Sequence, residues 1–311
     1  MRMPTALALA VLPCAMLLSA CGDDSGDDGG GGTHVVASFY PLAFVAERVG
    51  GDLVDVDNLT SPGGEPHDLE LAPKQVATVQ DADLLLYESG FQAAVDSAVG
   101  QAGRDDAATI DVTTLVPLLE TGDHAHHDHS DEGHHDHGDV DPHLWLDPTN
   151  MVTVTEAVAD RLSELDPGNA EVYAANAQEL VDDLTALDDD FTKGLASCKT
   201  ATIVTSHAAF AYLAERYGLE QVSIAGIDPS NEPSAAQLAD ITELVRDKGI
   251  TTIFTEELVS PAVARTVADE AGVRTATLDP IEGLSDATRD ETYLTLMERN
   301  LEAIKKADSC S

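Results

Sequence analysis

The chain contains 311 residues, and 43% of them are hydrophobic, so it is long and apolar enough to fold around two cores of ordinary size. Its 57 Asp and Glu residues outnumber 16 Lys and Arg residues, which leaves a formal net charge of -41 at pH 7. This charge excludes nucleic acid as a partner, because phosphates would be repelled, and it favours cations as ligands.

The first twenty residues have the pattern of an export signal. Arg2 supplies a positive charge, and the apolar stretch 7–18 is too short to cross a bilayer as a stable helix. The tetrapeptide LSAC, residues 18–21, resembles a bacterial lipobox, in which the cysteine is lipidated and becomes the mature N-terminus. We therefore expect a signal peptide over 1–20 and a lipid on Cys21 that holds the protein on the extracytoplasmic face of the membrane. The alternative is an ordinary cleavage site with a chance cysteine.

The N-terminal half of the chain is predicted to form a first lobe behind a tether. Residues 21–33 are expected to be flexible, because GDDSGDDGGGGT has no apolar side chain to bury. From residue 34, short β-branched runs alternate with helical patterns, which predicts a parallel sheet flanked by helices over 34–166. The predicted strands are 34–39, 53–59, 83–87 and 108–115, and the predicted helices are 42–49, 73–80 and 91–99.

After Asp147-Pro148-Thr149 the pattern becomes helical for nearly fifty residues, with a break at Asp166-Pro167-Gly168. The second helical piece, over 168–197, carries apolar residues at helical spacing and predicts one long rigid helix that joins two lobes. The C-terminal lobe, 198–311, repeats the order of the first. Its predicted strands are 201–205, 221–227, 251–255 and 274–278, and its predicted helices are 208–217, 234–248, 261–271 and 286–306. The predicted fold class is therefore α/β, with a mostly parallel four-stranded sheet flanked by helices in each lobe.

Four side chains lie where predicted strands end. His207 follows the strand 201–205, and Asp279 follows the strand 274–278. His67 and His143 lie in loops after the second and fourth strands. Open α/β sheets bind ligands beyond the carboxyl ends of their strands, so we expect these four residues to meet in a cleft between the lobes. A single histidine in a loop is more often only a polar residue, and the prediction depends on their convergence.

Six stretches resemble the zinc- and manganese-binding solute receptors of bacterial ABC importers: VVASFYPLAFVAERVGG, PHDLEL, DADLLLYESG, DPHLWLDP, TSHAAFAYLAERYGL and LDPIEGL. The similarity extends over residues 34–307, in the motif order of the family. It implies a lipid-anchored or periplasmic receptor, not an enzyme, that hands a metal ion to a membrane permease driven by the importer's ATPase. It also implies two α/β lobes joined by one long helix. The metal ligands that it implies are His67, His143, His207 and Asp279.

The ligand set favours Zn²⁺ over Mn²⁺. Manganese-binding relatives usually have a carboxylate at the third ligand position, where this sequence has His207. Three imidazoles and one carboxylate suit tetrahedral Zn²⁺ better than the oxygen-rich octahedron that Mn²⁺ prefers. We therefore expect high-affinity capture of Zn²⁺, with a manganese-selective receptor as the alternative. The alternative fourth ligand is Glu65, and Asp279 is preferred because a strand terminus is the more rigid support.

A second group of histidines lies in the segment 121–140, where Ala125 is the only apolar residue between the two ends. With nothing to bury, this segment is predicted to be a mobile loop that binds zinc weakly and serves the cleft as an accessory. The alternative is a solvated insert without a role. The accessory metal ligands would be His124, His126, His127, His129, His134, His135 and His137.

Two cysteines remain after Cys14 is removed with the signal and Cys21 is lipidated, namely Cys198 and Cys310. In an oxidising compartment this pair is expected to form a disulfide, with a soft metal site as the alternative.

A zinc hydrolase is the rival function from another class. If Asp279 did not bind, the three histidines would leave an open position on the metal for water. Against this, the sequence contains neither an HExxH nor a GxSxG motif. The sequence also leaves open a secondary role of this protein as an extracellular adhesin. We expect the protein to be a monomer.

Overall fold

The computed structural model describes residues 32–121 and 140–311. The predicted signal peptide, Cys21 and the seven histidines of the His-rich segment lie outside these residues. The first sheet is fully parallel and has the spatial order second-first-third-fourth strand. Its strands are β1 (Thr33–Ala37), β2 (Val54–Asn58), β3 (Leu84–Tyr87) and β4 (Thr109–Asp111).

The second sheet repeats this topology, again with every neighbouring pair of strands parallel. Its strands are β5 (Thr202–Thr205), β6 (Glu220–Ser223), β7 (Thr252–Thr255) and β8 (Arg274–Thr277). The predicted fold class is confirmed, because two parallel four-stranded sheets flanked by helices and one long helix are present. The α-helices are α1 (Tyr40–Gly50), α2 (Pro73–Asp81), α3 (Ala93–Ala102), α4 (Pro148–Leu165), α5 (Ala170–Leu195), α6 (Ala211–Tyr217), α7 (Ala235–Asp247), α8 (Ala262–Ala271) and α9 (Tyr293–Asp308).

The central strands are apolar on both faces because helices cover both sides of each sheet. In β1, Val35 and Ala37 contribute to a large central core, whereas Val36 between them packs on the opposite face with Val79 of α2. This is the alternation of side chains that a strand imposes. The second sheet has its own outer core, in which Val204 and Ile253 pack against residues of α7 and α8. Both sheets are therefore rigid supports for the loops at their carboxyl ends.

The long helix α5 joins the two sheets along the chain. It has 26 residues, which corresponds to a length of roughly 39 Å. Leu180, Leu184, Leu187 and Phe191 are buried at helical spacing and belong to the same core as β1 and α9. Arg216 of α6 also donates two hydrogen bonds of 2.7 Å to the carboxylate of Asp188 on α5. The shared core and this bidentate pair favour a stiff connection.

Several element boundaries differ from the sequence prediction, and two of the differences have a clear physical reason. The strand β1 begins at Thr33, inside the predicted tether, because it pairs with Val54 of β2 there. The last helix begins at Tyr293 instead of residue 286, because Thr292 caps its N-terminus by accepting a hydrogen bond from the backbone of Thr295. Residues 278–291 are consequently a loop, and this loop carries part of the site described below.

Three further features bear on the predictions. Glu120 and Val140 form an antiparallel bridge, so the two ends of the His-rich segment lie side by side. The sulfur atoms of Cys198 and Cys310 are 1.98 Å apart, at bonding distance. Among the described helices, none is both long and apolar enough to cross a bilayer.

Candidate metal centre

Four side chains meet beyond the carboxyl ends of the two sheets. His67 lies in the loop after β2, and His143 precedes a short 3-10 turn, Leu144–Leu146, that leads into α4. His207 follows β5, and Glu282 follows β8. One ligand atom from each of these residues lies within 4.8 Å of all the others. The three predicted histidines are therefore brought together, although 140 residues of sequence separate His67 from His207.

The spacing of these atoms matches a tetrahedral zinc site. The Oε1 atom of Glu282 is 3.5 Å from Nε2 of His67, 3.3 Å from Nε2 of His143 and 3.2 Å from Nε2 of His207. The Nε2 atoms of His143 and His207 are 3.3 Å apart. In a regular tetrahedron, Zn–N distances of about 2.0 to 2.1 Å correspond to ligand separations of about 3.3 to 3.4 Å. Four of the six edges of such a tetrahedron are thus already close to the required length.

The cluster is buried, and some of its polar atoms lack hydrogen-bond partners among the described residues. His143, His207 and Glu282 are fully buried, and the side chain of His67 is 8% exposed. Within residues 32–121 and 140–311, three atoms of the cluster make no hydrogen bond. They are the two carboxylate oxygens of Glu282 and the Nε2 atom of His67. Buried polar atoms without partners are costly, and a cation at the centre would satisfy Oε1 of Glu282 and Nε2 of His67.

Two further carboxylates orient the imidazoles. The Nδ1–H of His143 donates to Oδ1 of Asp141 at 2.8 Å, and the same oxygen accepts the backbone N–H of His143 at 2.9 Å. Glu256, directly after β7, accepts from Nδ1 of His207 at 2.8 Å and from its backbone N–H at 3.1 Å. Each of these bonds engages Nδ1 and directs Nε2 at the centre. Carboxylate partners of this kind are usual for metal-binding histidines.

The loop that carries His67 is held differently. The carboxylate of Glu65 accepts the backbone N–H groups of His67 at 3.2 Å and Asp68 at 3.1 Å. Earlier in the same loop, the N–H of Gly63 donates to the carbonyl of Leu284, which lies after β8 in the second sheet's half of the chain. Glu65, the alternative fourth ligand, therefore shapes the His67 loop, and it is not a member of the cluster found in the described residues.

The fourth position of the cluster differs from the prediction. The structure places Glu282, and not Asp279, among the three imidazoles, so the expected placement of Asp279 is corrected. The Oδ1 atom of Asp279 instead accepts the backbone N–H of Ile281 at 2.9 Å. Ile281 has a backbone φ of 59°, which turns the chain sharply before Glu282. For a β-branched residue this left-handed conformation costs of order 1 to 3 kcal/mol, and such strain is typical of functional sites.

Comparison with known proteins bears directly on this geometry. The model of the ZnuA family, described as zinc-uptake complex component A, periplasmic, matches residues 35–307. The chain belongs to the ZnuA family. The family resemblance inferred from the sequence is thereby confirmed, and this family consists of zinc-uptake components and not of enzymes.

Individual members of the family are similar over most of the chain. The zinc-binding lipoprotein AdcA of Streptococcus pneumoniae (serotype 4) is 40% identical over 303 residues, which are 96% of this chain and 60% of AdcA. This chain thus spans less than two thirds of AdcA. The high-affinity zinc uptake system protein ZnuA of Bacillus subtilis is 36% identical over 302 residues, 95% of each chain. The crystal structure of the Zn(II)-bound ZnuA-like domain of Streptococcus pneumoniae AdcA superposes with a TM-score of 0.75 at 37% identity, covering 89% of this chain and 99% of that domain.

The charges of the cluster set its protonation without metal. Although burial raises the pKa of Glu282, the three imidazole nitrogens that lie 3.2 to 3.5 Å from its Oε1 atom hold this pKa well below its usual range. Burial lowers the pKa of His207, but the carboxylates of Glu256 and Glu282 outweigh this effect and raise the pKa to about 10. Burial also lowers the pKa of His143, but the carboxylates of Asp141 and Glu282 outweigh it and raise this pKa above its usual value. For His67 the effect of burial is larger than that of Glu282, so its pKa is lowered. The metal-free cluster at neutral pH therefore contains an ionised Glu282 facing a protonated His207.

We predict that zinc binding releases at least one proton at pH 7.5, because His207 must lose its Nε2 proton before it can bind a metal. Since its pKa lies above this pH, the apparent affinity should rise by about tenfold per pH unit for each released proton. An unperturbed imidazole would instead show such dependence only below about pH 6.5. Calorimetry in buffers of different ionisation enthalpy measures the released protons, and a binding enthalpy independent of the buffer would contradict the prediction.

Proposed function

We propose that this protein is an extracytoplasmic zinc receptor that captures one Zn²⁺ ion with His67, His143, His207 and Glu282. It delivers the ion to the permease of an ABC importer whose ATPase drives uptake. A lipid on Cys21 holds the receptor at the outer face of the membrane. The zinc-binding lipoprotein AdcA and the zinc uptake protein ZnuA, to which the chain is similar, support this assignment by their names.

The observation that carries the proposal is the tetrahedral spacing of the buried ligand atoms. One carboxylate oxygen lies 3.2 to 3.5 Å from three imidazole nitrogens. Three nitrogens and one oxygen at these distances suit Zn²⁺, whereas Mn²⁺ prefers about six oxygen-rich ligands. The same donor set therefore favours a zinc receptor over the manganese-selective alternative.

Glu282 also argues against the hydrolase alternative. A catalytic zinc ion keeps about one coordination position open for water, in addition to three protein ligands. Here Oε1 of Glu282 stands at the fourth position, and the carboxylate is fully buried. The arrangement suits retention of a metal ion as cargo, with each ring nitrogen held ready by Asp141 or Glu256 or, for His67, by the shape of its loop.

The function is tested by counting zinc ions after deletion of residues 124–137. The bridge between Glu120 and Val140 already joins the ends of this segment, so the shortened link can close without moving His143. Because the four proposed ligands lie outside the segment, we expect the shortened protein to keep one tightly bound ion. Zinc content is measured by elemental analysis after equilibration and dialysis against a weak chelator.

The intact chain serves as the control in this experiment. Its additional histidines should hold further zinc ions that dialysis removes more easily, since the sequence predicts only weak binding by this segment. Loss of the tight ion on deletion would place the main site in the His-rich segment and contradict the proposal.

A further inference from the structure

The turn before Glu282 contains a residue, Ile281, in a backbone conformation that isoleucine normally avoids. Ile281 is fully buried and has a φ of 59°, in the left-handed region that a β-branched residue avoids. A residue with this conformation persists only where neighbouring contacts impose it. Since Glu282 is the next residue, whatever holds Ile281 also determines where the carboxylate of Glu282 points.

Asp279 supplies the contact that bears directly on Ile281. Its Oδ1 atom accepts the backbone N–H of Ile281 at 2.9 Å, and the residue is 4% exposed. Asp279 is itself held on both sides by Asn300 of α9. The amide oxygen of Asn300 accepts the N–H of Asp279 at 2.8 Å, and its amide nitrogen donates to the carbonyl of Asp279 at 2.6 Å. The turn is thus anchored to a helix of the second half of the chain.

A second anchor comes from the segment that carries His143. The indole Nε1–H of Trp145, two residues after this ligand, donates to the carbonyl of Pro280 at 2.7 Å. The hydroxyl of Tyr293, at the start of α9, donates to the carbonyl of Trp145 at 2.6 Å. All of these groups are buried, so water does not compete for the bonds. The His143 turn and the Glu282 turn are therefore joined to each other and to α9.

We propose that Asp279 is a positioning residue that keeps Ile281 in the left-handed conformation and so aims the carboxylate of Glu282 at the three imidazoles. This inference rests on the proposed function, in which Glu282 is a ligand. The atom of Asp279 that holds Ile281 is Oδ1, which accepts the backbone N–H of Ile281. The other oxygen, Oδ2, makes no hydrogen bond within the described part of the chain. The acceptor oxygen and the ionisable carboxyl group of Asp279 can therefore be separated by substitution.

Three variants of the full chain test the proposal, namely Asp279→Asn, Asp279→Ala and Glu282→Gln. Asn keeps an acceptor oxygen and the shape of the side chain, so we expect zinc affinity within about threefold of the original protein. Ala removes the acceptor, and we expect a loss of about 10- to 100-fold, the usual size for residues that orient a metal ligand. Zinc affinity is measured by competition with a chromogenic chelator.

The absorption spectrum of the Co²⁺-loaded protein provides a second readout, because it responds to the geometry and donors at the metal. Asp279→Ala should change the spectrum in the same way as Glu282→Gln, while Asp279→Asn should leave it unchanged. A general loss of stability would not reproduce the Glu282→Gln spectrum. If Asp279→Ala does not fold, Asn300→Ala removes the two bonds that hold Asp279 and should change the spectrum in the same direction.

The outcomes are distinct. A zinc affinity of Asp279→Ala within threefold of the original protein would overturn the proposal. So would an Asp279→Asn variant that binds zinc as weakly as Asp279→Ala, since the loss of affinity would then come from the ionisable carboxyl group and not from the acceptor oxygen. Unchanged zinc affinity in Glu282→Gln would instead remove Glu282 from the proposed ligand set. The positioning role and the proposed function therefore fail by different results.

Discussion

Replacing His143 with alanine should weaken zinc binding by roughly 10²- to 10³-fold. Structural zinc sites with four ligands have binding free energies of about 10 to 16 kcal/mol, or about 2.5 to 4 kcal/mol per ligand. His143 is fully buried, and its Nε2 atom lies 3.3 Å from both His207 Nε2 and Glu282 Oε1.

The affinity of this variant is measured by chelator competition with the His-rich segment removed, so that only the buried cluster is observed. His34→Ala is the matched control. His34 lies on β1 away from the cluster, where its Nε2 atom is 3.1 Å from Asp57, and its loss should leave the affinity unchanged. A His143→Ala protein that binds zinc as tightly as the His34→Ala protein would show that the ion is held elsewhere.

The second large effect concerns stability and not metal binding. Replacing Cys198 and Cys310 together with serine should lower the free energy of unfolding by up to about 4 kcal/mol. The two residues are 112 positions apart, and a cross-link that closes a loop of about 100 residues is worth about 4.7 kcal/mol in the chain-entropy model. The link attaches the end of α9 to the segment between α5 and β5, where Cys198 and Cys310 pack against the central core.

Denaturant unfolding measures this effect, and comparison with and without a reducing agent provides the control. The reducing agent should destabilise the original protein and have no effect on the double serine variant. Zinc stoichiometry should be the same in both proteins, because Cys198 precedes β5 and thus lies at the opposite end of the sheet from His207. Equal unfolding free energies for the oxidised protein and the double variant would contradict the prediction.

Most of the fold follows from local sequence patterns. Alternation of short β-branched runs with amphipathic segments predicted the two parallel sheets, and the pattern after Asp147 predicted both α4 and the long helix α5. The start of α9 was predicted seven residues too early, because loop residues 286–292 continue a helix-like composition. There the capping bond from the backbone of Thr295 to the side chain of Thr292 sets the boundary.

The carboxylates of the site were harder to predict than its histidines. Glu256 follows β7 directly, so applying the rule of strand ends to every strand would have found it. Glu282 carried a weaker signal. Asp279 and Glu282 lie three residues apart in LDPIEGL, and the strand-end rule favours the first of them. The left-handed turn at Ile281 places Glu282, and not Asp279, among the imidazoles. This turn has no sequence signature, because isoleucine rarely adopts a left-handed conformation.

The sequence by itself determined the repeated α/β order, the family and the three histidines, since each of these depends on residue type and on position along the chain. Only the tertiary structure decided which carboxylate faces the imidazoles. That choice depends on hydrogen bonds between distant segments, from Asn300 to Asp279 and from Trp145 to Pro280. Such contacts overcome the local backbone preference of Ile281, and local preference is all that a short stretch of sequence reveals.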